Sequence, residues 1–310
     1  MKSIKPIIKL LVSIVIAVVF LIFVEHYVGW AKLLTQWSKA SPVSVLVAVM
    51  FVFMSYIARS ARLYYYFEQQ INGRFLICTK LMLQHNFLNN ILPMRTGEVS
   101  FPLLMRSYFQ TPLITSVAAL LWFRLLDFYM LLGIAGGSII YFRFGLGYLA
   151  VFIALWLLCS GLLYTLVNTG VKWMMQWDTS SKLLGFMRDM ANKLEPGLPK
   201  SSKHFLTCWI ATILSWSFKL LAFVWVLLIF VDCPFIEGLF GVIGGELTSI
   251  LPVHGIGGLG TYEAGIVAAL LPFAVEQKQA ITGAVNVHLF LLGNTLLGGV
   301  ISIPLRELHH

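Results

Sequence analysis

Residues 120–128 read Leu120-Leu121-Trp122-Phe123-Arg124-Leu125-Leu126-Asp127-Phe128, inside an apolar run that extends from 113 to 140. A helix needs about 20 largely apolar residues to cross a bilayer, and this run exceeds that. Arg124 and Asp127 are its charged residues. Spaced by three, they share one helix face. Each costs about 2.5–3.5 kcal/mol at the bilayer centre when it faces lipid, so both must face protein or water. The run predicts a spanning helix with an inward polar face. The pair reads either as an ion pair that fixes helix packing or as a site. In a site, Arg124 holds an anionic group, and Asp127 sets its orientation or accepts a proton.

The composition around this helix is of the same kind. Hydrophobic residues make up 59% of the 310 and charged residues 11%, whereas a soluble domain carries about a quarter of its residues as charges. Too little charge remains to cover a water-facing surface, so lipid is the main solvent. The 22 Lys and Arg against 13 Asp and Glu give +9, which reads as a topology signal and attraction to anionic lipid. The basic residues are scattered over loops, so no nucleic-acid partner is expected. Cys78, Cys159, Cys208 and Cys233 show no CxxC pair and no metal-ligand spacing, and read as small apolar residues. No metal and no cofactor is expected.

Further spans are predicted at 7–25, 43–58, 147–168, 205–231 and 281–304, making six with 113–140. The first follows Lys2, Lys5 and Lys9 and resembles a signal peptide. Its apolar run exceeds an h-region and no A-x-A-like site follows, so it reads as a retained span. Two other apolar regions, 81–110 and 235–272, break in the middle, at Leu92-Pro93-Met94-Arg95-Thr96-Gly97 and from Leu251-Pro252 to Gly260. Each of their arms is too short to span alone. Two re-entrant hairpins are expected, with pairs of conventional spans as the alternative.

Basic residues cluster at the N-terminus, in a loop carrying Arg59, Arg62, Arg74 and Lys80, and over 172–203. Six spans with both termini in the cytoplasm place these clusters inside. The hairpins then enter from opposite faces. Their tips resemble each other: Asn90-Ile91-Leu92-Pro93-Met94-Arg95-Thr96-Gly97-Glu98 can be laid against Ser249-Ile250-Leu251-Pro252-Val253-His254-Gly255. Paired broken segments point to an inverted-repeat transporter with a site at mid-membrane. Between the halves, Trp173, Trp177, Leu184, Met187, Ala191 and Leu194 recur at helical spacing. A cytoplasmic interfacial helix over 171–200 is expected, ended by Glu195-Pro196-Gly197; an ordinary linker is the alternative. The fold class is therefore all-α, a polytopic helical bundle forming a single transmembrane domain over 1–310.

The candidate site residues follow from cost. A hairpin tip exposes backbone groups that are tolerable only beside a polar cavity, and a helix N-terminus favours anions. Arg95 offers paired donors to phosphate, with Glu98 nearby. The second hairpin supplies Glu246, His254 and Glu263; His254 could carry protons or simply form hydrogen bonds. Lys219, inside the fifth span, could counter Glu246 or a ligand anion, or reach the surface. Gly255-Ile256-Gly257-Gly258-Leu259-Gly260 satisfies G-x-G-x-x-G, but that fingerprint needs a preceding strand. Here it reads as a tight turn or a backbone anion nest. Gly133 with Gly137, and Gly241 with Gly245, suit close helix packing.

Three segments then carry a family resemblance: Asn90-x-x-Pro93-x-Arg95-x-Gly97-Glu98, Arg124-x-x-Asp127, and Pro252 followed by Gly257-Gly258-Leu259-Gly260-Thr261-Tyr262-Glu263. In this order they resemble the flippase-like transmembrane family that includes the membrane region of lysylphosphatidylglycerol synthases, the multiple peptide resistance factors. The resemblance implies a lipid-translocating bundle with re-entrant segments in a bacterial or archaeal cytoplasmic membrane. It marks Arg95, Glu98, Arg124, Asp127 and Glu263 as site residues. Phe123 stands where an acidic residue is expected before the arginine, which alters the charge balance. Without the synthase domain, the chain is not expected to make lysyl-lipid. The leading expectation is a flippase or scramblase for an anionic phospholipid or a polyprenyl phosphate. Arg95, Arg124 and Lys219 would neutralise the phosphate, and Glu98, Asp127 and Glu263 would balance charge or couple protons. The alternatives are a non-transporting partner that presents lipid to a separate biosynthetic enzyme, and an intramembrane transferase or hydrolase. Against the last, no nucleophile–base or metal set is evident.

Overall fold

The computed structural model describes residues 5–38, 40–177, 181–249 and 256–305. Among these, every regular element is helical. In chain order they are α1 (Lys5–Tyr27), α2 (Trp30–Trp37), α3 (Pro42–Tyr66), α4 (Glu68–Ile71), α5 (Phe75–Ile91), α6 (Ser100–Phe109), α7 (Leu113–Phe144), α8 (Leu146–Met175), α9 (Lys182–Leu194), α10 (Ser202–Phe230), α11 (Phe235–Thr248), α12 (Thr261–Leu270) and α13 (Gln277–Ser302). Short 3₁₀ turns cover Pro93–Val99, Glu195–Gly197, Ile256–Gly258 and Leu271–Phe273. Helices α3, α7, α8, α10 and α13 are long and apolar enough to cross a membrane; α1 and α2, bent by 76° at their junction, make a sixth candidate if taken as one span. The protein is an all-α, multi-pass membrane protein.

The chain forms two compact units. The first comprises 1–59, 82–100 and 214–310. Helices α11 and α12 pack closely within it. A Cβ on Gly244 would overlap the Gly265 carbonyl, and one on Gly265 the Gly244 carbonyl, so only glycines allow these backbones to approach. Between helices in lipid no transfer energy is gained, and close packing of this kind supplies the association. Helix α12 packs in turn on α13.

Helix α5 stops where the sequence demands it. Leu92, before Pro93, is extended with ψ 138°, because the proline ring disfavours the helical region for its predecessor. The turn Pro93–Val99 then folds back, setting Gly97 against the Leu88 and Asn89 backbone with no room for a Cβ. The turns Pro93–Val99 and Ile256–Gly258 touch each other, and α1 touches both. Val24, Leu33, Ile281 and Val285 form a buried cluster that joins α1, α2 and α13. Trp37 Nε1 locks α2 down by donating to Asn286 Oδ1 at 2.9 Å.

The second unit comprises 60–81 and 101–213. Helices α7 and α8 are joined by Tyr129 stacked on Trp156, with ring centroids 5.3 Å apart, and Gly133 leaves space for the Trp156 ring. The outer face of α8 is a row of exposed Leu, Ile and Val side chains, as suits lipid. Helix α9 packs on α7 and α8. Gly197 sits against Ala118 and the Thr115 carbonyl, and its own carbonyl accepts from Tyr66 Oη at 2.7 Å.

Three expectations need correction. Arg59 and Arg62 do not lie in a loop: α3 continues through both to Tyr66, and Lys80 lies inside α5. The helix between the halves begins at Lys182, where Ser181 Oγ accepts the Leu184 N–H at 3.2 Å; such a cap sets a helix start. Trp173 instead belongs to the end of α8. Glu195-Pro196-Gly197 does end α9 as expected.

Candidate functional site

In the first unit, the two helix breaks border a cleft of about 70 Å³. Its lining includes Asn89 and Asn90 from α5, Lys219 from α10, Glu246 from α11, Gly257 and Gly258 from the second turn, and His288 from α13. The breaks put polar backbone at this place. Gly257, Gly258 and Gly260 have φ of 65°, 81° and 88°, a region open to glycine at little cost. This explains why the refused G-x-G-x-x-G match is glycine-rich.

Two acid–base pairs stand at the cleft. Lys219 Nζ donates to Glu246 Oε2 at 2.6 Å, and Tyr262 Oη donates to Glu246 Oε1 at 3.1 Å. The Lys219 ammonium also lies 5.0 Å from the Trp216 ring and 5.2 Å from the Phe223 ring, within cation–π range. Glu246 is buried, while the Lys219 side chain keeps 18% of its surface. The second pair joins Glu263 Oε1 to His288 Nδ1 at 2.7 Å. Glu263 Oε2 accepts the Gly260 N–H at 2.8 Å, the reach-back of a capping box at the start of α12. His288 Nε2 meets the Gly257 carbonyl oxygen at 2.8 Å. Nearby, Asn90 Nδ2 donates to Thr295 Oγ1 at 2.9 Å. In an apolar surround each ion needs such partners, because an unpaired one is costly.

The second unit contains its own charge cluster. Arg62 Nη1 donates to Asp127 Oδ1 at 2.7 Å and to Thr212 Oγ1 at 2.9 Å. Its guanidinium lies 4.6 Å from the Phe123 ring centroid. Arg124 Nη1 reaches Asp127 Oδ2 at 3.5 Å. The side chains of Arg62 and Asp127 are 6% and 8% exposed, whereas that of Arg124 is 31% exposed. Arg62 therefore anchors Asp127, and Arg124 is the cation of the cluster that reaches out of it.

Lys219 and Glu246 are thus paired in the cleft, with Glu263 one bond behind its wall; Arg124 and Asp127 meet in the second unit. Glu98 closes the first turn with carboxylate oxygens shielded from solvent, and is not among the described residues lining the cleft. Arg95 lies in the same turn with its side chain outside those described, and His254 lies outside the described residues. Sequence reasoning missed Arg62, His288 and Tyr262. A usable signal existed for His288, a titratable residue inside an apolar span. Arg62 gave none, because its partner lies 65 residues away.

The sequence profile of the lysylphosphatidylglycerol synthase transmembrane region matches residues 8–298. No curated protein matches the chain. The match covers both turns, the cleft and the arginine–aspartate cluster, and the chain belongs to the lysylphosphatidylglycerol synthase transmembrane-region family.

Proposed function

We propose that this protein is a lipid carrier that passes an anionic phospholipid or a polyprenyl-phosphate-type lipid across the membrane, with the head group in the cleft of the first unit. The observation that carries this reading is the cleft itself: ionisable side chains and broken helix ends brought together inside an apolar protein. Ionisable residues among membrane helices mark substrate or ion paths by default, and broken helices mark carrier sites. Among the described residues lining the cleft, Lys219 is the cation in reach of a phosphate. Arg124 offers a partly exposed guanidinium in the second unit. Acyl or prenyl chains stay in the bilayer.

The same reading takes 81–110 and 235–272 as re-entrant hairpins of an inverted repeat. Support comes from α11 and α12, which at about 1.5 Å per residue run about 21 and 15 Å, too short to cross singly. It places both termini in the cytoplasm, on the strength of the basic 172–203 stretch, and takes the membrane as that of a bacterium or archaeon, as the family resemblance implies. It also takes the protein to be a carrier rather than an enzyme.

The test is lipid transfer in liposomes containing this protein alone, comparing fluorescent phosphatidylglycerol, phosphatidylethanolamine and a polyprenyl phosphate. Faster transfer of a phosphate-bearing lipid than in empty liposomes is expected. No transfer of any lipid, with or without a proton gradient, would refute the carrier and favour a partner that presents lipid to a separate enzyme.

A further inference from the structure

The contacts of His288 fix a proton count. Both ring nitrogens make hydrogen bonds: Nε2 to the Gly257 carbonyl oxygen at 2.8 Å and Nδ1 to Glu263 Oε1 at 2.7 Å. A carbonyl oxygen only accepts, so Nε2 carries a hydrogen. That uses the single N–H of a neutral imidazole. A further proton must then lie between Nδ1 and Oε1, because otherwise two lone pairs face each other at 2.7 Å. Whether that proton sits on nitrogen or on oxygen, the pair holds one more than a neutral histidine beside a carboxylate.

We infer that Glu263 and His288 form a one-proton site that latches the glycine turn beside the cleft, and that loss of this proton frees the turn. The surroundings fit a dedicated site. His288 is 2% and Glu263 3% exposed, so solvent does not satisfy them. Among the described residues, the other ionisable groups near them are Tyr262 on α12, its ring 4.8 Å from the imidazole, and Glu246 on α11 and Lys219 on α10, which line the same cleft. Glu246 is held by Lys219 and Tyr262, so its carboxylate is not the acceptor for the His288 proton. Once the proton leaves, the remaining N–H can serve Glu263 or Gly257 but not both. If it turns to Glu263, the Nε2 lone pair faces the Gly257 carbonyl and that link breaks. Gly257 and Gly258 line the cleft and have the positive φ of a turn with no side chains to brace it, so releasing the link reshapes the cleft wall. His288 lines the same cleft, which gives the proton its way in and out. Taken with the lipid-carrier reading, on which this last step rests, protonation would set whether the cleft is closed or open to a head group.

The test is amide hydrogen exchange over 256–265 in the protein reconstituted in lipid, across pH and corrected for the intrinsic exchange rate. One linked proton predicts that opening of this segment rises about tenfold per pH unit through the titration, and that H288Q and E263Q each abolish the slope. Unchanged exchange in α11 and the rest of α13 shows that the variants are folded. A flat wild-type profile, or the wild-type slope in either variant, overturns the site. Nitrogen-15 spectra of histidine-labelled wild type need no variant: one histidine with both ring nitrogens in hydrogen bonds is expected, and none overturns the site. Lipid transfer is measured on the same samples. A titrating segment without transfer keeps the proton site and refutes the carrier; transfer with a flat profile refutes only the proton site.

Discussion

Replacing Asp127 with alanine should destabilise the protein more than any other single truncation in the Arg62–Asp127–Arg124 cluster. Asp127 accepts from Arg62 at 2.7 Å and lies 3.5 Å from Arg124, and two guanidiniums face each other once it is gone. Removing one partner of a buried pair costs about 3–5 kcal/mol, because the other charge is left uncompensated. Ordinary interhelical hydrogen bonds in membranes contribute about 0.6 kcal/mol and at most about 1.7, so the two origins are separable. Arg62→Met leaves Asp127 beside Arg124 and loses the Thr212 bond and the Phe123 contact, so its cost should be smaller. Equilibrium unfolding in mixed detergent micelles measures both. A cost for Asp127→Ala below about 1.7 kcal/mol, or a larger cost for Arg62→Met, would show that Asp127 does not hold the two guanidiniums together.

Other changes test other parts of the structure. Gly244→Ala forces a methyl into the Gly265 carbonyl and the Ala269 methyl and should cost about 1–3 kcal/mol by overpacking. Gly293→Ala, with nothing within 4 Å of the new methyl, should leave the unfolding midpoint unchanged. Tyr262→Phe removes the hydroxyl that donates to buried Glu246 and should cost about 1.5–3 kcal/mol, the range for a hydrogen bond to a charged group, read in the same unfolding assay. Ser181→Ala removes the cap of α9 and should weaken that helix by about 1 kcal/mol, seen as faster amide exchange in its first turn and not elsewhere.

The spans were legible because apolar length is a local property. The predicted 113–140 and 205–231 became Leu113–Phe144 and Ser202–Phe230, with ends shifted by no more than four residues. The helix breaks were legible for the same reason, since Pro93 and the glycines of 257–260 act on their own backbone. Arg62 was not. Basic residues after an apolar run read as loop charges, and nothing local reveals that Asp127 and Thr212 neutralise this one inside α3. Trp173 was assigned to the wrong helix because its spacing to Trp177 continues a helical period past the end of α8 at Met175. The pairing of Arg124 with Asp127 was visible as a spacing of three, but their unequal exposure depends on Arg62 and so on tertiary contact. Lys219 and Glu246 could be matched as opposite charges in apolar segments; the Glu263–His288 pair could not, because His288 sits in a span with no motif around it.

In the proposed carrier, the cleft of the first unit handles a phosphate-bearing head group through Lys219. The direct measurement is the rate of phosphate-lipid transfer in liposomes for the wild type against the double variant Lys219→Met with Glu246→Gln, which removes the cation without leaving a buried carboxylate unpaired. A charge-assisted hydrogen bond contributes about 1.5–3 kcal/mol, so the folded double variant should transfer lipid about 10- to 150-fold more slowly. Transfer at the wild-type rate by that variant would contradict the account and remove the cleft as the head-group site.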